Sequence, residues 1–66
     1  MQRLTAKEAE ALLLKAGFEL IRVKGSHHIY KSNDVRIIIP FHSGKMLHPK
    51  IVKQVFDAIT KAEEEN

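Results

Sequence analysis

Gly25-Ser26-His27-His28-Ile29-Tyr30 is the stretch of this chain best suited to chemistry. An imidazole follows directly on a glycine-containing turn, at the mouth of a short apolar strand. Histidine is the side chain whose ordinary pKa lies nearest neutrality, so it can take or give a proton at working pH. The surrounding chain is basic and has no cysteine. Together these features point to phosphate chemistry on a polyanion. His42 and His48 flank a Ser43-Gly44 loop. Either could supply a second proton transfer, although surface or capping roles are the more common use of such residues. Four histidines also raise the question of a metal. No pair has the i, i+4 helix spacing of a zincin, and adjacent His27 and His28 cannot easily point at one ion, so no metal and no cofactor is expected.

The rest of the chain must position that turn. Sixty-six residues make a single domain that buries only about 60% of the surface of its unfolded form. A surface site working on a large partner suits this size better than a deep pocket. Without cysteine there are no disulfides, thiolate nucleophiles or thiolate metal sites, and a reducing compartment is expected. The charged N-terminal stretch lacks the apolar run of a signal peptide, and no run approaches a membrane span of about 18 residues. These features read as a cytoplasmic protein. The net charge of +3 understates how basic the body is. Residues 1–54 hold ten Lys and Arg against four Asp and Glu, or +6, and residues 55–66 carry −3. A body of this charge attracts nucleic acid or an acidic protein surface.

Local signals divide the chain into five elements. Thr5-Ala6-Lys7-Glu8 matches a capping box, and Ala9, Leu12, Leu13 and Ala16 recur at helical spacing before Gly17, predicting a helix over 5–16. Phe18 to Val23 reads as a strand, Lys24-Gly25-Ser26 as a turn and His27 to Ser32 as a second strand. Asn33-Asp34 marks a hairpin turn, and Val35 to Ile39 a third strand whose pairing Pro40 should end. Pro49 suits a first helical position, and Ile51, Val52, Val55, Phe56 and Ile59 form one apolar stripe, predicting a helix over 49–62. Glu63-Glu64-Glu65 opposes the dipole at that end, so residues 63–66 are expected to form a frayed acidic tail. The predicted class is α+β with the order α-β-β-β-α. Both helices should pack on one face of a three-stranded antiparallel meander, as in a double-stranded-RNA-binding domain.

This order occurs together with Ala16-Gly17-Phe18, Lys24-Gly25-Ser26-His27 and Ile39-Pro40-Phe41-His42. Over roughly residues 4–60 the chain resembles the HicA family of toxins from toxin–antitoxin pairs. The resemblance implies a small, metal-independent endoribonuclease that cleaves mRNA, neutralised by a HicB antitoxin that covers the active surface. The free protein is expected to be a monomer. It also implies that the catalytic histidine is the one directly after Gly-Ser, His27, and that His28 lacks that role. Met46-Leu47-His48-Pro49 departs from the more charged stretch such proteins often carry there.

Each candidate residue also has a plainer reading. Gly25 and Ser26 could hold a phosphate oxygen through their backbone N–H groups, or Gly25 could simply permit the turn. Lys24 borders the same turn. Lys45, Lys50 and Lys53 cluster around the start of the second helix, as a phosphate track or as a solvated face. Gly44-Lys45 lacks the rest of a P-loop pattern. Tyr30 and Phe41 could stack on bases, but core packing is their commoner use. Two functional classes follow: a ribonuclease acting through His27, and a module of the same fold that holds RNA without cutting it.

Overall fold

The computed structural model describes residues 3–41 and 46–64. The elements are α1 (Ala6–Lys15), β1 (Glu19–Lys24), β2 (His27–Ser32), β3 (Val35–Pro40) and α2 (Pro49–Glu64). The strands form one antiparallel sheet in the order β1-β2-β3. The expected α-β-β-β-α arrangement is therefore the observed one.

Short-range hydrogen bonding fixes the ends of α1. The Thr5 N–H donates to Glu8 Oε1 at 2.9 Å and the Glu8 N–H donates to Thr5 Oγ1 at 3.1 Å, completing the capping box. At the other end Gly17 has φ +96°, the Gly17 N–H donates to the Leu14 carbonyl and the Phe18 N–H to the Leu13 carbonyl. This is a Schellman motif, and it requires the left-handed residue that glycine supplies. The first hairpin turns on Gly25-Ser26, with Gly25 at φ +59°. The second turns on Asn33-Asp34, with Asn33 at φ 54°.

Both helices cover the same side of the sheet. Ala6, Ala9 and Leu13 of α1, and Val52, Val55, Ala58 and Ala62 of α2, form one core with Phe18, Tyr30, Val35, Ile37 and Ile39. Each large apolar side chain fully buried in this way contributes roughly 1.5–3 kcal/mol. The segment before α2 is tied to the N-terminus by a bond of 2.7 Å from the Leu47 N–H to the Leu4 carbonyl.

Helix α1 is one residue shorter at each end than expected and strand β1 shifts by one residue, so Lys24 belongs to β1, paired with His27, rather than to the turn. Two further boundaries differ for physical reasons. Pro40 does not end pairing, because it lies opposite His27 and the next residue, Phe41, donates its N–H to the Ser26 carbonyl at 2.6 Å. Residues alternate between bonding β2 and facing the open edge of β3. Pro40 occupies an edge-facing position, where the ladder does not need its missing N–H. Helix α2 continues through Glu64 rather than stopping at 62. Ala62 is 1% exposed, so the last turn packs against the core despite the acidic end. Glu65 and Asn66 lie outside the described residues.

Candidate functional site on the open sheet face

The sheet separates the two adjacent histidines. Successive strand residues leave opposite faces. His28 faces the helices: its ring stacks on Phe41 with centroids 3.8 Å apart and planes 17° from parallel, and its Nδ1 lies 3.9 Å from Glu10 Oε2. That nitrogen is buried and has no hydrogen-bond partner among the described residues. His27 is exposed on the opposite face. Of these two adjacent histidines, only His27 is exposed to a large substrate.

Behind His28 lies a polar contact that the sequence reading did not single out. Tyr30 is fully buried, and its hydroxyl donates to Glu10 Oε2. Burial, then this bond and the Glu10 charge, push the Tyr30 hydroxyl well above its ordinary pKa. The sequence did carry a signal for Glu10. It falls four residues after Ala6 and three before Leu13, on the inward face of α1, where a carboxylate needs a partner. Phe41 is committed to His28 and Tyr30 to the core, so both aromatics serve packing.

On the open face the register brings Lys24, His27 and Pro40 into one row. Arg22, Ile29 and Ile38 form the next row, and Glu19, Lys31 and Arg36 the third. The pairing of β1 shifts by one residue between Leu20 and Arg22, leaving Ile21 as an inserted residue. In an unbroken register Arg22 would lie opposite His28, on the helix side. The bulge turns both Arg22 and Lys24 onto the face of His27. Arg22, Lys31 and Arg36 were not among the residues singled out from the sequence. Strand alternation from His27 would have found Lys31, whereas no local signal marks the bulge.

The remaining candidates are distributed as follows. Gly25 and Ser26 form the turn beside His27, and Lys24 is the cross-strand partner of His27. Lys50 and Lys53 are exposed on α2, in the helical layer on the other side of the sheet from His27. Lys53 pairs with Asp57 at 3.1 Å, an exposed i, i+4 contact of little energetic weight. Lys45 lies outside the described residues, as do His42, Ser43 and Gly44. His48 is a helix cap: its Nδ1 accepts from the Lys50 N–H at 3.1 Å and its carbonyl accepts from Ile51 and Val52. His48→Ala should cost about 1 kcal/mol in urea unfolding, and His48→Asp should recover it, because aspartate caps well and suits the helix dipole. An alanine variant of unchanged stability would show that the ring does not serve as a cap.

Among the described residues no group of three or more His, Asp or Glu could hold a metal ion. No described helix is long and apolar enough to cross a membrane.

Comparison with known proteins places the chain in a family. The family model described as the HicA toxin of bacterial toxin–antitoxin systems matches residues 6–62. The chain belongs to the HicA toxin family. That match spans both helices and all three strands up to Ala62, so it includes the Gly25-Ser26-His27 turn and the whole open sheet face. Membership in a toxin–antitoxin family implies an antitoxin partner for this HicA-family chain. No curated protein and no solved structure matches the chain.

Proposed function

We propose that this protein is the toxin of a type II toxin–antitoxin pair and acts as a metal-independent endoribonuclease on mRNA, with His27 as its catalytic residue. The observation that carries this reading is the exposure of His27 beside the Gly25-Ser26 turn, on the sheet face that holds Lys24, within a chain of the HicA family.

RNA suits so sparse a site. Its 2′-OH is an internal nucleophile next to the scissile phosphate, so positioning is largely supplied by the substrate. The 2′-oxygen bonds to phosphorus as the P–O5′ bond breaks, leaving a 2′,3′-cyclic phosphate on one product and a 5′-hydroxyl on the other. His27 transfers a proton in this step, either from the attacking 2′-OH or to the departing 5′-oxygen. The Gly25 and Ser26 N–H groups and the Lys24 ammonium hold the phosphate oxygens. Lys50 and Lys53, with Lys45 before them in the chain, take phosphates of an RNA long enough to leave the open face and reach the helical layer. A HicB-type antitoxin covers His27 and the surrounding basic surface, blocking RNA sterically. The free toxin is a monomer in the cytoplasm.

The test is cleavage of a defined RNA by the purified, antitoxin-free protein in EDTA, with analysis of the product ends. Cutting should persist in chelator and leave 2′,3′-cyclic ends, and a 2′-deoxy nucleotide at the scissile position should block it. Activity lost in EDTA and restored by zinc or magnesium would overturn the metal-independent route. Titration with the antitoxin should abolish cleavage and protect the His27 turn from proton exchange. Full inhibition with that turn still exposed would rule out steric masking.

A further inference from the structure

All four cations of the sheet, Arg22, Lys24, Lys31 and Arg36, stand on its open face with His27. All four are exposed, and none forms an ion pair among the described residues. Lys53, by contrast, is matched by Asp57. Among the described residues the only carboxylate on this face is Glu19, at its far end from His27. The cations border an apolar centre made by Ile29 and Ile38, and Ile38 is 46% exposed. Two of the four cations owe their placement to the bulge at Ile21. Bulges often serve to re-aim side chains beside active sites.

We infer that this open face is the main RNA-binding surface: a short single-stranded segment lies across the sheet with its phosphates on Arg22, Lys24, Lys31 and Arg36, which delivers the scissile phosphate to His27. This rests on the ribonuclease reading and extends it to the path of the substrate.

Charge complementarity favours RNA as the occupant. Four cations without an ion pair among the described residues, against one carboxylate there, suit a polyanion, and the reacting group stands among them. Rows two residues apart along a strand are separated by about 6.7 Å, so the cations are spread across the face rather than gathered at one point. A single strand suits the surface better than a duplex. Its unpaired bases can lie on Ile29 and Ile38, and its mobile backbone can bring the 2′-OH into line with the leaving oxygen. The aromatic side chains Phe18, Tyr30, Phe41 and Phe56 all pack in or against the core, so the face presents no phenylalanine or tyrosine for stacking. Affinity should therefore come chiefly from phosphate contacts and depend steeply on salt.

The experiment measures binding of a fluorescent single-stranded 2′-O-methyl RNA, which cannot be cut, and cleavage of the matching ordinary RNA. Arg22→Glu/Arg36→Glu is compared with Lys7→Glu/Lys15→Glu, which makes the same charge change on α1. The first variant should bind about tenfold or more weakly at 0.15 M salt, with the slope of log affinity against log salt reduced by about 1.4, as expected for two lost phosphate contacts. The α1 variant should stay within about twofold of wild type, as expected for charges that contact no phosphate. Arg22→Gln/Arg36→Gln provides the same test with less risk to the fold, which is checked by circular dichroism. Equal losses in the sheet and α1 variants, or loss only in the α1 variant, would overturn the inference. So would a sheet variant that keeps RNA but no longer binds the antitoxin, which would assign the face to the protein partner. If wild type cuts RNA and the sheet variants bind and cut equally well, this path is wrong while the ribonuclease reading stands. If wild type binds on this face but never cuts, the ribonuclease reading fails instead.

Discussion

His27→Ala should lower RNA cleavage by about 10²–10⁴-fold, the usual contribution of one proton-transferring group. Growth inhibition should be lost with it. The side chain is exposed and no hydrogen bond or ion pair to it is seen among the described residues, so stability should change by no more than about 0.5 kcal/mol. RNA binding should survive, because Arg22, Lys24, Lys31 and Arg36 remain. Partial restoration of cleavage by added imidazole would separate proton transfer from a merely electrostatic role. A folded alanine variant that arrests growth at full strength would remove His27 from the mechanism. An alanine variant that binds RNA normally and has lost only its cutting would exclude the alternative of a pure RNA-holding module.

Tyr30→Ala should act by the opposite route, destroying function through the fold. Tyr30 is the largest fully buried side chain, held between the sheet and α1. Truncating a buried aromatic costs about 3–5 kcal/mol. A chain of this length has roughly 3–10 kcal/mol of stability to lose. Most of the variant should be unfolded at growth temperature and cleared from the cell. Tyr30→Phe keeps the ring and removes only the donor to Glu10, so it should cost about 1–3 kcal/mol at neutral pH. The two proteins should converge at high pH. The raised Tyr30 pKa means that the folded state holds this proton more tightly than the unfolded chain. Wild-type stability from this group is fully present below the ordinary tyrosine value of 10.0 and is lost as pH rises above it. The phenylalanine variant lacks that decline. Tyr30 is the only tyrosine, so its ionisation can be followed directly by tyrosinate absorbance. Ionisation at the ordinary pH in the folded protein, or equal stability of Tyr30→Phe and wild type at pH 7, would show that the Glu10 contact contributes nothing.

The two substitutions lie three residues apart on one strand yet differ in kind. Loss at His27 should leave a folded protein without its chemistry. Loss at Tyr30 should remove the folded protein, and its activity with it. Measuring soluble abundance beside toxicity distinguishes them.

Much of this molecule could be read from the sequence because its decisive interactions are local. The Thr5–Glu8 box, the Gly17 cap and the Gly25 and Asn33 turns join residues at most five apart, so residue type and spacing carry the information. The apolar stripes of α1 and α2 and the β-rich runs between them then leave one reasonable way to bury their faces. The candidate catalytic group was legible too, as an imidazole beside a glycine turn. Which of His27 and His28 faces outward depended on the sheet: strand alternation separates the pair, but only the packed helices decide which side is covered. The same holds for Glu10, whose carboxylate meets Tyr30 across twenty residues of chain. The basic face depended on tertiary structure most of all. One inserted residue, Ile21, reverses the parity of β1 and carries Arg22 and Lys24 from the helix side to the side of His27. A bulge is a property of two paired strands, set by how their hydrogen bonds and core side chains fit together. No residue of β1 read alone reveals it.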